Sequence, residues 1–149
     1  MGLLFQEHVE NKSTGADKLE GVMLFLDHLR RDQTFKLYVH FSSINHEFIK
    51  DIMIPLHIEE KREEFSKYTE SILREGLEDG SLECRGDPAL LSTTVIALSL
   101  TFISALSSHY TSRGYSPGIP FTSDDLFGCF VRIIRESFYS TALSANFTS

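Results

Sequence analysis

Twenty consecutive residues, Ala89 to Ser108, carry no charged side chain, and they follow directly on Asp87-Pro88. Their apolar members recur at three- and four-residue intervals, so the run reads as a helix. Asp then Pro supplies an N-cap and a first helical position, where proline loses nothing by lacking an N–H. A surface helix needs one apolar stripe, and this one has two. Leu91, Val95, Leu98, Phe102 and Ala105 form the first; Ile96, Leu100 and Ile103 form the second. By length the run could cross a bilayer. Its many Ser and Thr residues, and the lack of flanking basic or aromatic belts, favour a helix buried on two sides of a soluble assembly.

The last helix has the same property. Thr122 or Ser123 caps it, Asp124 and Asp125 suit its N-terminal dipole, and it is expected to reach about Ala145. Phe127, Phe130, Val131, Ile134 and Phe138 make one stripe, joined by Leu126 and Ile133 on a further flank. Two doubly apolar helices imply a pair that packs on its own core and on a second copy, an isologous four-helix contact. The residues assigned to that contact are Leu98, Phe102, Ala105, Phe127, Phe130, Ile134 and Phe138.

Upstream, apolar spacing is helical almost throughout. Ser13 or Thr14 opens a helix carrying Leu19, Val22, Met23, Leu26 and Leu29, which ends near Arg31-Asp32. Shorter helices are expected at about 34–44 and from Asn45 to Pro55. A long charged helix from Leu56 to Asp79 follows, with Ile58, Phe65, Ile72 and Leu73 facing inward and Tyr68 and Leu77 beside them. Glu63–Lys67 and Glu70–Arg74 stand in the favoured i,i+4 order. Gly80 fits the left-handed position that closes this helix, and "SLECRG" is a short connector. Arg85-Gly86-Asp87 then reads as connector plus cap, not as an adhesive tripeptide. The whole is one all-α domain, 1–149, a helical bundle of about six helices.

A net charge of −7 argues against autonomous nucleic-acid binding, since the densest basic cluster is Arg30-Arg31, followed at once by Asp32. Cys84 and Cys129 are far apart and outside any CxxC, so free thiols in a cytoplasmic chain are expected. No secretion signal opens the sequence. His40, His46 and His57 lack metal-ligand spacing, and no nucleophile elbow or phosphate-binding glycine loop occurs. Neither an enzyme, nor a cofactor, nor a metal site is expected.

The phrase "YTESILREGLEDGSLECRGDPALLSTTVIALSLTFISAL" resembles the C-terminal half of TetR-type transcriptional regulators. There, a long helix ends in a glycine-marked phrase and an Asp-Pro opens the penultimate helix; here the phrase is Glu75-Gly76, Asp79-Gly80 and Asp87-Pro88. "LLFQEHVEN" is similar to the helix linking that family's DNA-binding head to its body, and "DKLEGVMLFLDHLRRD" to the next. Nothing here matches the helix-turn-helix head. The resemblance implies an effector-binding body that dimerises through its last two helices and meets DNA only through such a head.

Pocket residues in that family vary with the ligand. Candidates among the polar and aromatic positions are Tyr38, His40, Phe41, His57, Phe65, Tyr68, Phe102 and His109, which would line a cavity for a small, largely apolar or amphipathic effector. Aromatics at helical spacing are more often plain core. The alternative is a ligand-free helical interaction module, a head-less dimerisation partner.

Overall fold

The computed structural model of the chain describes residues 8–9, 11–36, 39, 58–109 and 120–139, with side chains from 63 to 107 in the stretch 58–109. Four long helices occupy these residues: α1 (Gly15–Arg31), α2 (Ile58–Glu78), α3 (Pro88–His109) and α4 (Ser123–Phe138). Residues 33–36 and 39 are also helical. No strand forms among the described residues, and one antiparallel bridge joins Leu82 to Tyr139. The protein is an all-α packed bundle.

Local chemistry sets the helix starts. The Thr14 hydroxyl accepts the Asp17 N–H and caps α1. Asp87 Oδ1 accepts the Ala89 N–H at 2.8 Å, and α3 begins at Pro88 as the Asp-Pro pair predicts. At α4, Thr122 and Asp125 cap each other's backbone reciprocally, a capping box with Asp in place of Glu. Gly80 sits at φ 75°, in the left-handed region that stops α2.

α1, α2 and α3 pack on one another at close backbone range. The core they share with α4 takes Leu19, Val22, Phe25 and Leu26 from α1, and Phe65, Ile72 and Leu73 from α2. α3 adds Val95, Ile96, Ile103 and Leu106; α4 adds Phe127, Val131, Ile134 and Phe138. Buried Ser92 and Ser99 turn their hydroxyls back onto the Ala89 and Val95 carbonyls of their own helix, which removes the cost of burying them.

One boundary differs from the expectation. α4 stops at Phe138 instead of near Ala145, because Tyr139 turns extended (φ −76°, ψ 141°) to meet the connector after α2. There the Glu83 N–H donates to the Phe138 carbonyl at 2.7 Å. α3 ends at His109. The helices expected at 34–44 and 45–55 fall largely outside the described residues.

Candidate functional site

The inner and outer sides of α3 differ in what they touch, not in polarity. The helix is long and apolar enough to cross a membrane by length and composition, yet only 33% of its apolar window is buried. Its inner side lies on α1 and α2. Its outer side presents Leu90, Thr94, Leu98 and Thr101, with Leu98 60% exposed and no charge on the helix. On α4, Ile133 is 54% exposed. Between the two helices Phe102 and Phe130 stack with ring centroids 5.0 Å apart, both half-buried. A band of uncharged side chains therefore runs from Leu98 across Phe102 and Phe130 to Ile133, with the exposed Arg132–Glu136 pair beside it on α4.

Of the residues assigned to an intermolecular contact, Leu98, Phe102, Ala105 and Phe130 lie along this band. Phe127, Ile134 and Phe138 do not. They are buried in the protomer's own core, because positions 127, 131, 134 and 138 follow the helical repeat of the inward face. Ile133, read at first as a mere flank, is the outward apolar residue of α4.

The effector candidates divide differently. Phe65 is buried against Phe25, centroids 5.8 Å apart, at the centre of the α1–α2 contact. Tyr68 is half-buried one turn further on. Phe102 belongs to the outer band. Tyr38, His40, Phe41 and His57 lie outside the described residues, as does the side chain of His109.

A polar constellation that sequence reading missed joins α1 to α4. Arg30, only 6% exposed, donates to Asp27 (2.7 Å), to the Ser123 hydroxyl (3.0 Å) and to Asp124 (2.6 Å). Its guanidinium also lies 4.7 Å over the Phe127 ring, a cation–π contact. Hydrogen bonding from Arg30 holds the Asp124 carboxyl below its ordinary range. At the other end of α4, Arg135 pairs with Glu20, and the Tyr139 hydroxyl donates to the same carboxylate at 2.9 Å. Burial, with Glu20 nearby, pushes the Tyr139 phenol up. Between these clamps lies a cleft of about 330 Å³ floored by Met23, Leu24, Phe127 and Val131. The only sequence hint was Asp27–Arg30 spacing; the 94-residue separation of Arg30 from Asp124 is invisible to periodicity.

Cys84 is half-buried and its thiol is pushed up by desolvation, which disfavours the reactive thiolate. Comparison with protein-family models, curated proteins and solved structures finds no match to this chain.

Proposed function

We propose that this chain is the effector-binding and dimerisation body of a TetR-type transcriptional regulator, controlling DNA binding through a separate N-terminal helix-turn-helix head. Its effector is small and largely apolar or amphipathic, and the body itself carries no catalysis. The observation that supports this most is the uncharged outward band on α3 and α4. Contiguous exposed apolar surface of this kind marks an interaction site, and an isologous partner covers it with the same band. The long α2, its Gly80 stop and the Asp87-Pro88 start give the helix order from which the resemblance was drawn. An effector acts only through unequal affinity for two conformers of the body.

A second function is favoured by one observation. Phe65 and Phe102, two of the aromatic effector candidates, are engaged by Phe25 and Phe130, and so fill space instead of lining it. That suits a helical interaction module without a ligand.

Native mass spectrometry separates these outcomes. A dimer carrying retained mass supports the effector-binding body, and a dimer without it favours the interaction module. A monomer at micromolar concentration overturns the homodimer made by the last two helices, and the regulator body with it.

A further inference from the structure

α1 starts where α2 ends. Gly15, the first residue of α1, meets Gly76, in the last turn of α2, backbone against backbone. A Cβ on Gly15 would fall on the Gly76 main chain, and a Cβ on Gly76 would fall on the Leu82 side chain. Three polar contacts surround this crossing. The Gly15 N–H donates to Asp79 Oδ2 at 2.8 Å, and the Ala16 N–H donates to the Ser81 hydroxyl at 2.9 Å. Lys18 Nζ lies 2.6 Å from a Glu75 carboxylate oxygen. Two of the N–H groups that every helix start leaves unpaired are thus satisfied by the turn after α2, 64 and 65 residues away. A second close approach lies on another face of α1. Gly21 lies against the His8 carbonyl, beside fully buried Val9.

We propose that this crossing is a rigid joint, through which residues 8–9 and 11–12 move with the α2–α3 turn instead of independently of it. Ordinary helix contacts pass through side chains whose rotamers can absorb a small displacement. A glycine-on-glycine contact has no side chain to absorb it, and the Asp79, Ser81 and Glu75 contacts hold both elements from three directions. The joint adds regulation to the proposed function, since it carries a shift of α2 to the amino-terminal side of α1. Its existence does not depend on what the chain regulates.

Hydrogen exchange of the full chain, read by amide-resolved NMR, tests it with Ser81→Ala. The expected result is exchange roughly tenfold faster at Ala16 and also at Lys12, whose N–H donates to the Val9 carbonyl and never touches Ser81, with α3 unchanged. Faster exchange at Ala16 alone makes Ser81 a local cap and overturns the joint. Equal acceleration through Ile96 to Ile103 overturns it too, because the turn then serves global stability, and no change anywhere does the same. If Ser81→Ala does not fold, Asp79→Asn is read at the same three places. A monomer in the native spectrum would sink the regulator and leave this exchange pattern standing.

Discussion

The carboxylate of Asp79 caps a helix to which it does not belong: its Oδ2 accepts the Gly15 N–H at 2.8 Å, while its Oδ1 accepts the Ser81 N–H next door. A single side chain therefore ties the turn after α2 to the start of α1. Hydrogen bonding from Ser81, then from the Gly15 backbone, holds this carboxyl below its ordinary range. The folded state thus favours the ionised form, so the contribution is whole above the unfolded Asp pKa of about 4 and is lost as pH falls through the lower folded value. Asp79→Ala is expected to cost about 1 kcal/mol, as loss of a cap does. Thermal melts of both proteins from pH 7 to pH 3 should converge at the acid end; a constant gap would deny the ionised carboxylate its role.

The glycines should respond with opposite signs. Apart from its chain neighbours and the backbone of its own helix, no atom of the described residues lies within 4 Å of where a Cβ on Gly128 would sit, at an exposed position in α4. Gly128→Ala should stabilise by about 0.5–1 kcal/mol through helix propensity alone. Gly15→Ala must push α1 off α2 and should cost roughly 1–3 kcal/mol. Urea unfolding of the pair measures both, and a destabilising Gly128→Ala would show that something packs there.

Arg30→Met keeps the apolar stem and removes the fork. Its partner Asp124 is 63% exposed and Asp27 31%, so both can reach water after the cut. The loss should therefore stay near 1–3 kcal/mol, below the usual cost of stranding a fully buried charge. Lysine at this position should not restore it, since an ammonium cannot meet Asp27, Ser123 and Asp124 while lying flat on Phe127. Denaturant midpoints of the two variants decide the matter; full recovery with Lys would reduce the site to a point charge.

Leu98→Glu and Ile133→Glu place charge on the outward band without touching the protomer's core. Both should turn the proposed dimer into a folded monomer, with the far-ultraviolet helix signal kept. Ile134→Glu, one residue further on, should instead unfold the protomer, because Ile134 is buried. Sedimentation and circular dichroism on the three proteins distinguish the effects. A dimer surviving both outward substitutions would remove the band from the interface.

Three helix starts and the stop of α2 were legible because capping is local. Thr14, Asp87-Pro88, Thr122 and Gly80 act within four residues of themselves, and each stands where the sequence places it. The inward stripe of α1 was legible for the same reason: one apolar face leaves one way to turn. On α3 and α4 that logic failed. Leu98 and Ile96 are equally apolar, so periodicity could not say that Leu98 faces outward and Ile96 inward. Nor could it say that Phe127, Ile134 and Phe138 are used up inside the protomer.

The amino-acid sequence by itself determined an all-α chain, where its long helices begin, and that its last two long helices have more apolar surface than one neighbour can cover. These follow from contacts between residues close in the chain, whose energies hardly depend on the rest of the fold. Only the tertiary structure decided which stripe turns inward, that Asp79 and Ser81 cap α1, and that Arg30 is buried between α1 and α4. Each of those is a meeting of residues more than 60 positions apart, and burial, unlike capping, is a property of whatever else arrives.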